Sequence, residues 1–136
     1  MTTKERESNW KKFSKYYTTT KGRASFLLNN ARKRAVRDGV ECTITQSWIK
    51  EKLEVGVCEA TGLPLELTVG YGKGHRKNSF SPSLDRISQR GNYSPENTRL
   101  TCWIYNRARG AFPDGDFEKM LRALAARGHY ALQGPL

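Results

Sequence analysis

Apolar residues recur at helical spacing through the first third of the chain and change rhythm near its middle. Trp10, Phe13 and Tyr17 share one helical face among Lys11, Lys12 and Lys15. That predicts a weak first helix, ending at Thr18, Thr19 and Thr20, where a β-branched run lowers helix propensity. Ala24, Leu27, Leu28, Ala31 and Ala35 follow the spacing of a buried stripe. Arg23, Lys33, Arg34 and Arg37 fall mostly off that stripe, and Gly39 offers a C-terminal stop. Positions 40–44 alternate like a short strand. Thr45 then suits the N-cap of a helix carrying Trp48, Ile49 and Leu53 and ended by Gly56.

From Cys58 onward the pattern is shorter and more broken. TGLP (61–64) reads as a turn, 65–69 as a strand, and 70–78, with three glycines and Lys73, His75, Arg76 and Lys77, as a basic loop. Positions 83–87 and 98–102 suit two strands joined by a turn around Gly91 and Asn92, and 103–109 a helix stopped by Gly110. After Pro113, Asp114 or Asp116 is placed to cap a last helix with Phe117, Met120, Leu121 and Leu124 on its apolar face. The expected class is α+β, in one domain with three parts: 1–57 basic and helical, 58–110 mixed, and 111–136 a C-terminal helix and tail. At 136 residues the chain can bury one modest core, not two.

Charge narrows the choice of partners. The formal net charge is +11, of which residues 1–57 supply +7. Such a balance favours polyanions, nucleic acid first and an anionic membrane surface second. No apolar run reaches the ~20 residues of a bilayer span, and the first residues lack the apolar stretch of a secretory signal. Three cysteines, an odd number, fit a reducing compartment better than a disulfide framework. Together these point to a soluble cytoplasmic protein of a bacterium, or of an infected host if phage-encoded, with no membrane partner. Its oligomeric state is open at this level.

The chemistry concentrates in PSLDRI (82–87), GNYSPEN (91–97) and CWIYNRARG (102–110). In this order and spacing they resemble the HNH (ββα-metal, His-Me finger) endonuclease superfamily. The likeness is nearest to phage and bacterial HNH-type proteins, which share a basic ARKRA helix (31–35) and a Cys58-to-Leu65 turn. The resemblance implies a strand, loop, strand and helix that hold one divalent cation, Mg²⁺ or Mn²⁺, against a scissile phosphate. The cation would act there as a Lewis acid. It makes Asp85 and Asn106 the metal ligands and gives Asn97 the task of fastening the loop by backbone hydrogen bonds. The implied activity is metal-dependent hydrolysis of DNA phosphodiester bonds. Arg23, Arg32, Lys33, Arg34, Arg37, Arg76, Lys77, Arg107 and Arg109 would contact the backbone of duplex or branched DNA, RNA being the less favoured partner.

Two departures from the family pattern matter. The residue after the strand aspartate is usually histidine, the general base, and here it is Arg86. A guanidinium cannot accept a proton at workable pH, though it can clamp a phosphate or stabilise a charged transition state. The base is then a metal-bound hydroxide or His75, or the activity is lost and a non-catalytic DNA-binding protein remains. Second, Cys58 and Cys102 each keep only the first cysteine of a Cys-x-x-Cys knuckle, with Thr61 and Tyr105 in the other places. Two thiolates do not close a tetrahedral site, so no structural zinc is expected. Bland readings stand beside these. Asp85 and Arg86 alone make an ordinary ion pair, Asn106 a helix-surface amide, His75 a solvated loop residue, and Cys58 and Cys102 small core residues.

Overall fold

Threonine caps start each of the first three helices. In the computed structural model, which describes residues 1–68 and 78–128, α1 spans Thr3–Tyr17, α2 Thr20–Asp38 and α3 Gln46–Val55. Thr2 and Glu5 form a reciprocal capping box on α1, and Thr19 and Thr45 accept from Gly22 N–H and Trp48 N–H at 3.0 and 3.2 Å. Gly39 and Gly56 end α2 and α3 in the left-handed region, at φ 67° and 77°, where a side chain would be strained.

The chain reverses sharply between α1 and α2. A Cβ placed on Gly22 would lie 2.0 Å from the Tyr16 carbonyl oxygen, so only glycine permits that approach. The α1 aromatics then form a chain, Trp10 on Phe13, Phe13 on Tyr17 and Tyr17 on Phe26 of α2, with ring centroids 4.3–5.5 Å apart. No residue of α1 is fully buried.

A two-stranded antiparallel hairpin follows, β1 (Pro82–Arg86) and β2 (Thr98–Cys102), in the register Ser83↔Thr101, Leu84↔Leu100, Asp85↔Arg99. Alternation sends Leu84 and Leu100 to the main core, where they meet Ala24, Leu27, Leu28, Ala31 and Ala35 of α2 and Ile49 and Leu53 of α3. Each such leucine contributes about 1.5–3 kcal/mol by leaving water. The opposite face, Ser83, Asp85, Arg99 and Thr101, carries the polar groups. Helix α4 (Trp103–Arg109) follows β2 directly, its first N–H groups donating to Ser81 O and Ser79 O at 2.8 and 2.9 Å. It ends at Gly110, and α5 (Asp114–Ala126) closes the described chain.

Some expected elements are reduced. The strand predicted over 40–44 is a single bridge, Cys42 to Tyr93, and of 65–69 only residues 65–68 are described, with a bridge from Val57 to Pro64 just before them. Neither Asp114 nor Asp116 caps α5. Pro113 occupies the N-cap and both aspartates sit in the first turn, where the helix dipole favours them. Of the predicted apolar face of α5, Phe117 alone is buried. Among the described residues no helix is long and apolar enough to cross a membrane.

Candidate nucleic-acid interface

Asp85 is the centre of the polar face. It is 1 % exposed, and each of its oxygens meets a guanidinium: Oδ2 accepts from Arg99 Nε at 2.8 Å and Oδ1 from Arg109 Nη2 at 2.5 Å. Asp114 closes the cluster from the first turn of α5, 2.8 Å from Arg99 Nη2 and 3.4 Å from Arg109 Nε. Burial works against the charge on Arg99, but its bonds to Asp85 and Asp114 outweigh this and raise its pKa above the ordinary value. Two carboxylates and two guanidiniums thus balance each other beneath α4.

This cluster bears on the expected metal site. With one guanidinium on each oxygen, the charge of Asp85 is compensated locally, while each carboxylate oxygen keeps a second lone-pair site. Asn106, the other expected ligand, turns its amide nitrogen inward, donating to Ser83 Oγ at 2.7 Å and Leu84 O at 3.2 Å. Among the described residues no group of three or more His, Cys, Asp or Glu side chains converges. As arranged, Asp85 is bound to two arginines, and of the Asn106 amide it is the nitrogen that is engaged.

Arg86 is also engaged. It points to the opposite side of β1, donates to Gly91 O at 3.1 Å and Asp38 Oδ2 at 2.9 Å, and lies over the Tyr93 ring at 4.5 Å. It therefore joins β1 to the end of α2 rather than facing the cleft by α4. Asn97 ties the intervening loop: Ser88 N–H donates to its Oδ1 at 2.9 Å, and its Nδ2 donates to Ser88 O at 3.0 Å and Asn92 O at 2.9 Å. His75, Arg76 and Lys77 lie outside the described residues.

The basic residues separate into two groups. Arg23 and Arg109, expected on the DNA surface, are 4 % and 0 % exposed. Arg23 donates to Tyr17 O, Ser81 Oγ and Leu67 O at 2.8–3.0 Å, pinning α2 to the segments before β1, and burial lowers its pKa. Arg109 donates to Phe112 O and Arg86 O besides Asp85. Both are internal ties, because in these places a long guanidinium satisfies several buried carbonyls at once. Arg32, Lys33, Arg37 and Arg107 are exposed, and Arg34 is half-buried. Arg34 and Arg107 flank a cleft of about 370 Å³ between α2, β1 and α4, lined also by Ser83, Gln89 and Asn106. The cleft offers two guanidiniums and neutral polar groups with no carboxylate among its lining residues, a lining suited to a phosphate diester.

Fold and cleft together invite comparison with known structures. Over 77 % of this chain and 81 % of the other, the structure is similar to that of the rare-cutting HNH restriction endonuclease PacI, with a TM-score of 0.50 and 21 % identity. The chain shares its fold with an HNH endonuclease. At that identity the likeness concerns the fold alone. No family model and no curated protein matches the sequence.

Cys58 and Cys102, far apart in sequence, lie side by side. Both are reduced, and both are buried. Burial opposes ionisation of Cys58, yet hydrogen bonds from the Thr61 hydroxyl and the Cys102, Ala60 and Thr61 N–H groups hold its thiol below the ordinary range. Burial, together with the adjacent Cys58 sulfur, pushes Cys102 up. Sequence reasoning missed Ser83, Gln89, Arg99 and Asp114. Arg99 was within its reach, because pairing the two predicted strands places it opposite Asp85.

Proposed function

We propose that the protein binds DNA on an HNH-type scaffold and seats a backbone phosphate in the cleft between α2, β1 and α4. The observation that carries this reading is the cleft itself, where Arg34 and Arg107 flank Ser83, Gln89 and Asn106. Exposed Arg32, Lys33 and Arg37 extend the positive surface along α2, in a chain of net charge +11. Contacts of this kind position a duplex and supply salt-dependent affinity with little sequence information. Arg107 presents its guanidinium to the phosphate oxygens, and Asn106, fixed by Ser83 and Leu84, holds that wall of the cleft rigid.

A second reading, metal-dependent DNA cleavage, is favoured by the fold shared with a restriction endonuclease. The full charge compensation of Asp85 by two arginines weighs against it. Binding and cleavage separate in one experiment. Anisotropy of a labelled duplex in EDTA should show binding that weakens steeply with salt, while supercoiled plasmid with Mg²⁺ or Mn²⁺ should stay intact. Nicking that requires metal and is abolished by Asp85→Ala in a folded variant establishes the endonuclease reading. Failure to bind any duplex, branched DNA or structured RNA in low salt removes both.

A further inference from the structure

The cleft between α2, β1 and α4 has more room and more chemistry than a phosphate needs. Its volume of about 370 Å³ lies within the roughly 300–1,000 Å³ of pockets that enclose small organic molecules, and a phosphate group fills only a fraction of it. Trp103 of α4, half-buried, lines it together with Asn106, Arg107 and Gly110. These four positions run i, i+3, i+4, i+7, so one face of the helix forms the wall. Indole and guanidinium follow each other on that face at about 6 Å, four residues of helical rise. That is the scale on which the base of one nucleotide lies from its phosphate.

The amides of the cleft complete the picture. Asn106 donates both hydrogens of Nδ2, to Ser83 Oγ and Leu84 O, and Gln89 commits its nitrogen to Gly110 O at 2.5 Å. Each amide keeps a carbonyl oxygen with which to accept. Acceptors suit an unpaired base, because every base carries an N–H on its pairing edge that a duplex occupies and an unpaired nucleotide offers. We infer that the cleft takes one whole unpaired nucleotide, its base stacked on Trp103 and its phosphate between Arg34 and Arg107. This rests on the reading of the cleft as a phosphate seat. Aromatic side chains beside a cationic track hold single-stranded DNA with little regard to sequence, since every base has a π-face. The expected preference is therefore for DNA with an unpaired base over the same DNA fully paired.

Fluorescence anisotropy on three labelled duplexes, in EDTA and low salt, tests this. One is fully paired, one carries a single bulged adenine, and one has an abasic residue in place of that adenine. The wild type should bind the adenine bulge about 5- to 100-fold more tightly than the other two, the range that one base–aromatic stack provides. Trp103→Ala should bring the adenine bulge down to the abasic level, with circular dichroism to confirm folding, whereas Trp103→Phe should keep part of the preference. Arg107→Ala should weaken all three duplexes by a similar factor, as loss of a phosphate contact does. Equal binding of the adenine and abasic bulges by the wild type overturns the inference and leaves the phosphate seat standing. That comparison decides even where Trp103→Ala does not fold. A preference that survives Trp103→Ala in a folded protein also overturns it. Failure to bind any of the three duplexes removes the phosphate seat as well.

Discussion

Asp85 and Arg99 face each other directly across the β1–β2 ladder and are joined by a 2.8 Å ion pair beneath α4. With Arg109 on the other carboxylate oxygen, removal of Asp85 leaves two guanidiniums without their main counter-charge. Asp85→Ala should therefore destabilise the fold by about 3–5 kcal/mol, the range for breaking one side of a buried pair. Adding Arg99→Leu and Arg109→Met should recover part of that loss, since apolar replacement of a whole buried ionic group is tolerated better. Urea unfolding of the three proteins measures both effects. Unchanged stability in Asp85→Ala would mean that the carboxylate is free in solution.

Arg107 and Arg109, two residues apart on α4, should behave oppositely. Arg107 is exposed at the cleft and Arg109 is buried. Arg107→Ala should reduce DNA affinity, lower the log–log salt slope by about 1, and leave the urea midpoint unchanged. Arg109→Ala should lower the midpoint. The triple change of Arg32, Lys33 and Arg34 to Ala should flatten the slope further without unfolding the protein.

Asn97 and Gly91 form one unit. A Cβ on Gly91 would lie 2.6 Å from Asn97 Nδ2, so Gly91→Ala should disturb the same loop that Asn97→Ala releases. Each is expected to cost about 1–3 kcal/mol, the penalty for orphaned polar groups. The double variant should cost less than the sum. A double-mutant cycle by thermal unfolding checks this coupling.

The Asp38 contact has a defined pH dependence. Hydrogen bonds from Arg37 and then Arg86 hold its carboxyl below the usual carboxylate range. A depressed folded pKa adds stability that is present above the unfolded value and lost as pH falls through the folded one. The stability difference between the wild type and Asp38→Asn should accordingly be present at neutral pH and vanish in acid. A difference that grows on acidification would contradict the assignment.

Local signals made much of this architecture readable. Thr45, Gly39 and Gly56 mark helix ends by chemistry that acts within a turn, and β2 and α4 have the limits their residue pattern implies, 98–102 and 103–109. What failed was whatever depends on distant partners. Arg23 and Arg109 belong to the same residue type as Arg107, and nothing local says that carbonyls 44 and 23 positions away, those of Leu67 and Arg86, will enclose them. Asp85 enters as a metal ligand by resemblance alone, and its ion pair with Arg99 across the ladder is a contact that its neighbours in sequence do not announce. Likewise Asp114 looked like a cap because a proline preceded it, whereas its partners are arginines of β2 and α4.

The missing side chain at Gly22 sets the bearing of an entire helix. Because the Tyr16 carbonyl occupies the space where a methyl would project, α1 folds back on α2 at a fixed angle and brings Lys4, Arg6, Lys11, Lys12 and Lys15 with it. A Gly22→Ala protein would retain every one of those charges and the whole hairpin, yet would aim them elsewhere. Where the positive field of the N-terminal arm points is thus encoded by the absence of one carbon atom, a feature that no count of basic residues registers.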